Sequence, residues 1–125
     1  MKKLLFTIIL SLIPVVGLAA TLFTFTPPTT NTDGTLLTDL GGYKIYCGQA
    51  SGDYSVTMDI GLIKPDITGK GTYPIANVLN MDVTKTWYCV MTAYDINKNE
   101  SVYSNEVSVP LVGLAPNVPG AFGVK

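Results

Sequence analysis

The ten residues from 86 to 95, with the sequence T-W-Y-C-V-M-T-A-Y-D, constrain the fold more than any other stretch. Taken at alternate positions, their side chains form an apolar set and a mixed set. The apolar set is Trp87, Cys89, Met91 and Ala93, and the mixed set is Tyr88, Val90, Thr92 and Tyr94. Successive side chains of a strand point to opposite sides of a sheet, whereas a helix needs apolar residues three and four positions apart. The segment is therefore predicted to be a strand with one buried face.

Shorter strand candidates occur on both sides of this segment. They cover residues 22–26, 43–47, 54–60, 72–79 and 102–109, and clusters of Gly, Pro, Asn and Asp separate them. Pro74 interrupts the fourth candidate, because proline cannot donate to a strand ladder. Short strands about ten residues apart, with turn residues between them and no helical period, predict an all-β sandwich.

The N-terminus has the three parts of a secretory signal peptide. Lys2 and Lys3 follow the first methionine, an apolar run extends from position 4 to 18, and Ala19 and Ala20 end it. The run is shorter than the roughly 20 residues of a membrane-spanning helix. We expect a signal peptide at residues 1–19, with an uncleaved N-terminal anchor as the alternative. Cleavage predicts a secreted, periplasmic or cell-surface protein that keeps no membrane span.

Composition argues against several classes of function. The chain of 125 residues has no histidine and no arginine, and without Lys2 and Lys3 it has six lysines against nine acidic residues, a net charge of −3. Because nucleic-acid binding depends on neutralising phosphates, no nucleic-acid partner is expected. The absence of histidine removes most catalytic triads and zinc sites. We therefore expect no enzyme activity, no catalytic residue, no metal and no cofactor.

The turn after the central strand superficially matches a calcium-binding loop. Asp95, Asn97 and Asn99 have the spacing of oxygen ligands, and Glu106 follows eleven positions after Asp95. However, Glu100 stands where such a loop needs glycine, and no helices are predicted beside it. A hairpin loop held by Asp and Asn side-chain hydrogen bonds to the backbone is the favoured interpretation.

Four segments together resemble a fibronectin type III domain of bacterial or phage exported proteins. In the order of that family's strands B, C, F and G they read T-F-T-P-P-T-T-N-T-D-G-T, L-T-D-L-G-G-Y-K-I-Y-C-G, T-W-Y-C-V-M-T-A-Y-D and N-E-S-V-Y-S-N-E-V-S. The resemblance implies an immunoglobulin-like β-sandwich of seven strands, in a domain at residues 21–110. Phe25 stands where the family usually has Trp, and Trp87 where it usually has Tyr.

The resemblance also implies that segments 43–47 and 86–95 are antiparallel neighbours. If Tyr43 lies opposite Ala93, then Cys47 lies opposite Cys89, and both thiols project into the core. A disulfide between Cys47 and Cys89 is then expected in an exported protein, with two free buried thiols as the alternative.

The mixed face of these strands is a candidate binding surface. Tyr46, Tyr88 and Tyr94 are predicted to face solvent, where aromatic side chains contact protein or carbohydrate ligands. Ordinary outward tyrosines of a sheet are the alternative interpretation. The family resemblance and this strip together predict an exported, non-catalytic binding or adhesion module with an unknown protein or carbohydrate partner.

The predicted signal peptide leaves no room for the family's strand A. A Pro- and Gly-rich tail at residues 111–125 ends in A-F-G-V-K, which resembles the start of another such module. We expect strand A to be missing or supplied by this tail, in the same chain or in a neighbour. Self-association through the tail would make the protein an extracellular structural or virion-surface component. An unstructured tail, or a fragment of a longer multi-module protein, is the other interpretation.

Overall fold

Two antiparallel sheets make up the protein, which a computed structural model describes over residues 11–14, 21–78, 85–109, 119–121 and 123–124. One sheet contains β1 (Ser11–Pro14), β2 (Thr21–Phe25) and β5 (Gly71–Pro74), in the order β1-β2-β5. The other contains β3 (Leu40–Gly48), β4 (Val56–Gly61), β6 (Trp87–Asp95) and β7 (Val107–Val109), in the order β4-β3-β6-β7. A 3-10 turn at Ile75–Asn77 follows β5. The prediction of an all-β chain is confirmed.

The long central strand β6 has the buried apolar face that its sequence predicts. Trp87 is 8% exposed, and Cys89, Met91 and Ala93 are fully buried. β6 pairs with β3 on one side and with β7 on the other. Its register with β3 agrees with the expected one, and joins Tyr43 to Ala93, Ile45 to Met91 and Cys47 to Cys89.

The core contains side chains from both sheets, as in a sandwich. Phe23 and Phe25 come from β2, while Tyr43 and Ile45 come from β3, and all four are at most 1% exposed. The rings of Phe25 and Tyr43 connect the two sheets, with centroids 4.6 Å apart. Burial raises the pKa of the Tyr43 hydroxyl to about 12.

A disulfide joins Cys47 of β3 to Cys89 of β6, as the family resemblance implies. The two residues are directly opposed across the ladder and lie 42 positions apart in the chain. Disulfides persist in oxidising compartments, so this bond is compatible with an extracellular or periplasmic location. Within the described ranges, no helix has the length and apolar character that crossing a membrane requires.

The position beside β2 is occupied by a segment that the sequence did not predict for it. β1, from residues 11–14, pairs antiparallel with β2, with Leu12 opposite Phe23. In the full chain, β1 is therefore the strand beside β2. The prediction that strand A is missing or supplied by the tail concerns the chain after removal of residues 1–19, and it stays a prediction. β1 can pair there because β2 offers an open edge and only six residues of sequence, 15–20, separate the two strands, so closure costs little entropy.

The signal-peptide assignment itself stays a prediction, because most of residues 1–19 lie outside the described residues. The same holds for the first part of the tail, residues 111–118. Pro74 ends β5 and the 3-10 turn follows, so the strand predicted over 72–79 is shorter than expected.

Replacing Cys47 and Cys89 together with alanine is expected to lower the free energy of unfolding by about 2–4 kcal/mol, because the disulfide restricts the unfolded chain. Urea denaturation with and without a reductant measures the effect. The reductant should destabilise the wild-type protein by a similar amount and leave the double variant unchanged. A wild-type protein whose unfolding does not respond to complete reduction would contradict this expectation.

Candidate functional site

The outer face of β6 is buried, although the sequence predicts that it faces solvent. Val90 is 2% exposed, Thr92 is 1% and Tyr94 is 5%. A strand at the surface of a sandwich normally exposes its outer side chains. Residues outside the regular ladder must therefore cover this face.

The segment that follows β6, between Glu100 and Val107, contains a bulge. Seven residue steps separate Glu100 from Val107, whereas five separate their partners Tyr94 and Cys89. The returning chain thus has two more residues than β6 over the same span, and extra residues bend a strand and re-aim its side chains. For this reason the strand predicted over 102–109 is regular only at Val107–Val109.

Two serines replace the ladder hydrogen bonds that the bulge interrupts. The backbone N–H of Ala93 donates to Oγ of Ser101 at 3.0 Å, and that of Met91 donates to Oγ of Ser104 at 2.8 Å. In return, the backbone N–H groups of Ser101 and Ser104 donate to the carbonyl oxygens of Ala93 and Met91. The central strand therefore keeps its backbone groups paired where the ladder is irregular.

The bulge brings Tyr103 against two other tyrosines. Its ring centroid lies 5.2 Å from that of Tyr46 and 5.4 Å from that of Tyr54, in edge-to-face arrangements. Such aromatic pairs contribute beyond the area that they bury. We name the surface formed by these three rings, together with Glu100 and Glu106, the tyrosine–glutamate patch.

Glu100 holds one end of the patch. One of its carboxylate oxygens accepts hydrogen bonds from the hydroxyl of Tyr46 and from Oγ1 of Thr92, the latter at 2.6 Å. Partial burial and then the bond to Glu100 raise the pKa of Tyr46. The hydroxyl of Tyr46 therefore stays protonated and acts as a donor at any physiological pH.

Glu106 holds the other end. Its carboxylate accepts from Oγ of Ser51 at 2.6 Å, from the hydroxyl of Tyr54 at 2.7 Å and from the backbone N–H of Gly52 at 3.1 Å. The bonds from Ser51 and Tyr54 lower the pKa of Glu106. Partial burial, the hydrogen bond to Glu106 and the charge of that carboxylate raise the pKa of Tyr54 to about 12. The carboxylates of Glu100 and Glu106 thus each accept a hydrogen bond from a tyrosine hydroxyl.

An open depression of about 360 Å³ lies on the patch. It is lined by Tyr46, Thr92, Glu100, Ser101, Val102 and Tyr103. Tyr103 is 53% exposed and Val102 is 75% exposed. The depression therefore combines accessible apolar surface with hydroxyl and carboxylate groups whose positions are fixed by hydrogen bonds.

The predicted strip of Tyr46, Tyr88 and Tyr94 does not form as a single exposed surface. Tyr46 belongs to the patch, and Tyr88 is half-buried at the register position opposite Gly48 and Ser108. The prediction that Tyr94 faces solvent is wrong, because its side chain is buried.

The absence of a side chain at Gly42 explains the burial of Tyr94. A Cβ at Gly42 would lie 2.7 Å from Cζ of Tyr94, so only glycine leaves room for the ring. The hydroxyl of Tyr94 donates to Asp59 of β4 at 2.8 Å, and Nζ of Lys98 lies 4.5 Å from the ring centroid. Although partial desolvation opposes it, the bond from Tyr94 lowers the pKa of Asp59.

Sequence reasoning missed Tyr54, Tyr103, Glu100 and Glu106 as members of the site. The available signal was the pair Ser101 and Ser104, which lie just before and inside the segment 102–109 that was expected to be a regular strand. Side-chain hydroxyls that compete for backbone hydrogen bonds indicate irregular backbone.

The turn after β6 is a hairpin loop held by side-chain hydrogen bonds, as favoured from the sequence. The buried carboxylate of Asp95 accepts from the backbone N–H groups of Asn97 and Asn99 and from Nδ2 of Asn99, each at 2.9 Å. In the part of the chain that the structure describes, no group of three or more metal-ligating side chains is found. Glu106, the last position of the calcium pattern, belongs to the tyrosine–glutamate patch.

Comparisons with known proteins show the fold alone. No family model matches the chain, and no curated protein sequence matches it significantly. Among solved structures, the chain is similar to a DUF3823 family protein from Bacteroides ovatus, with 15% sequence identity and a TM-score of 0.52. The similarity covers 82% of this chain and 52% of that protein, so the chain spans about half of its structural relative.

Replacing Ser101 with alanine is expected to destabilise the protein by about 1–3 kcal/mol, because the N–H of Ala93 is left buried without an acceptor. The matched control is Ser108→Ala, which removes an exposed hydroxyl from the same hairpin and should change stability by less than about 0.5 kcal/mol. Urea denaturation of both variants measures the difference. Equal stabilities for the two variants would show that the serine bond is not needed.

Glu106 should titrate below its ordinary value of 4.5, because Ser51 and Tyr54 donate to its ionised form. A lowered pKa stabilises the folded protein above the ordinary value, and this contribution is lost as the pH falls through the folded value. Carbon-detected NMR titration measures the pKa directly. In Tyr54→Phe it should rise towards 4.5, and an identical pKa in both proteins would contradict the assigned role of Tyr54.

Proposed function

We propose that the protein is an exported, non-catalytic binding module of the fibronectin type III kind, which contacts glycan or protein surfaces through the tyrosine–glutamate patch. The observation that carries the proposal is that the half-exposed Tyr103 contacts the rings of Tyr46 and Tyr54 and lines an open depression.

The arrangement of the strands supports the fibronectin type III assignment. In the described ranges, seven strands divide into sheets of three and four, and the segments assigned to strands C, F and G are the neighbours β3, β6 and β7. The segment assigned to strand B is β2, in the opposite sheet, and β1 stands beside it where strand A belongs. Domains of this kind commonly serve as binding or spacer modules.

The rigidity of the patch supports a binding role. Binding loses free energy when mobile side chains become ordered, so groups that are fixed beforehand favour affinity. Tyr103 has two ring partners, and the neighbouring hydroxyls of Tyr46 and Tyr54 are each bound to a carboxylate. Tyrosine combines a large apolar surface with few rotatable bonds, which is why it is frequent at recognition surfaces.

The shape and chemistry of the depression favour a glycan over a protein partner. A cavity of about 360 Å³ is at the small end of the range for ligand sites, whereas a stable protein interface covers about 800 Å² on each partner. An aromatic ring accepts the apolar face of a sugar, and carboxylates such as Glu100 have free lone pairs for its hydroxyl donors. The absence of arginine, and the net charge of −3 that remains without Lys2 and Lys3, disfavour anionic ligands.

The experiment is a glycan-array screen of the chain from residue 20, followed by titration calorimetry of any neutral glycan that binds. Tyr103→Ala should weaken binding at least about tenfold, because truncating a central aromatic contact residue commonly costs about 2 kcal/mol or more. Tyr103→Phe should retain most of the affinity, since it keeps the ring.

The matched control is Ile67→Ala, which removes an exposed apolar side chain away from the patch and should leave binding unchanged. Circular dichroism confirms that each variant is folded. Glycan binding that survives Tyr103→Ala would rule out the patch as the contact surface. If the protein binds only to protein arrays, and Tyr103→Ala abolishes this binding, the patch remains the contact surface but its ligand is a protein.

A further inference from the structure

The outer edge of β2 is completed by a strand that export is predicted to remove. β1 pairs with β2 over four positions, from Ser11 opposite Thr24 to Pro14 opposite Thr21. All four residues of β1 fall within the predicted signal peptide at residues 1–19. The exported chain would then fold with the backbone groups of this edge unpaired, and open strand edges recruit another strand.

We propose that in the exported protein the tail of the same chain replaces β1, with residues 121–125 adding to the edge of β2 as an antiparallel strand. The signal peptide then serves as a placeholder in the precursor, and its removal creates the site that the tail occupies. This strand exchange takes place in the three-stranded sheet and is independent of the tyrosine–glutamate patch.

The tail starts close to the edge that it is proposed to fill. Cα atoms of β1 and β7 come within 8 Å of each other, and the tail leaves β7 after Val109. Twelve residue steps from Val109 to Ala121 span up to about 40 Å, so the connection can cross the sheet with ample slack. Short tethers of this kind give an internal segment an effective concentration in the millimolar range, which favours it over a second copy.

The sequence of the tail fits the position. No proline interrupts residues 121–125, and Phe122 and Val124 are two positions apart, so they share one face of a strand. A residue placed opposite the fully buried Phe23 lies on the core face of the sheet, where an apolar side chain is favoured. Leu12 has this register position in the full chain.

The described part of the tail is exposed while β1 occupies the edge. Pro119, Gly120 and Ala121 are all exposed, and Val124 is 98% exposed. An apolar residue with no packing surface in the precursor gains one when β1 is removed, which gives the exchange a hydrophobic as well as a hydrogen-bonding contribution.

Hydrogen exchange at the amides of β2 tests the proposal, using chain 20–125, chain 20–109 and the full chain with and without residues 110–125. In chain 20–125, the β2 amides that do not face β5 should be protected. Removal of the tail should increase their exchange at least about tenfold, while amides bonded to β5 stay protected. In the full chain, removal of the tail should change neither set, because β1 fills the edge.

A point variant tests the role of the tail without shortening the chain. Phe122→Asp in chain 20–125 should lower the melting temperature by roughly 5–10 °C, and the control Asn117→Asp, in the same tail, should not. The same two substitutions in the full chain should be silent.

Three outcomes would overturn the proposal. One is equal exchange at the β2 edge with and without the tail in chain 20–125. Another is equal melting of Phe122→Asp and Asn117→Asp in that chain. The third is a tail-dependent dimer in sedimentation equilibrium, which would assign the edge to the tail of a second copy instead.

Discussion

The antiparallel pairing of β3 with β6 positions everything else in the molecule. It is the longest ladder in the structure, and its inner face contributes side chains such as Ile45 and Met91 to the core between the sheets. The disulfide lies within this ladder and joins residues that already face each other. Because side chains alternate along both strands, fixing the inner face of this pair also fixes which side chains reach the outer face.

The outer face of β6 is covered because the segment that follows β6 in the same chain is irregular. A regular hairpin after β6 would leave its outer side chains in water, as the sequence pattern indicates. Two additional residues between Glu100 and Val107 instead lift Tyr103 out of the ladder, and Ser101 and Ser104 supply the acceptors that the central strand would lose. Local polar side chains thus allow an exposed aromatic ring to be built on a buried strand without leaving backbone donors unpaired.

The sequence predicted those features that depend on alternation within one strand. The inner face of β6 follows from apolar residues at every second position, whereas its register with β3 and the disulfide were expected from the family resemblance. Tyr94 was predicted to face solvent from the alternation of its own strand. That alternation contains no information about Gly42 on the neighbouring strand, which leaves space for the ring of Tyr94. The patch was missed for a related reason, since Tyr54, Tyr103 and Glu106 meet only through a bulge and a loop. The pairing of residues 11–14 with β2 was missed because an apolar composition is typical of a signal peptide as well as of a strand.

The hydrogen bonds of the patch join positions that are far apart in the chain. Tyr46 and Glu100 are separated by 54 residues, and Tyr54 and Glu106 by 52. An incompletely folded chain therefore cannot form the patch, because its parts come together only in the native fold. Any ligand of the patch would therefore bind only the native state, and its binding would shift the folding equilibrium towards the native protein and away from forms that proteases cut.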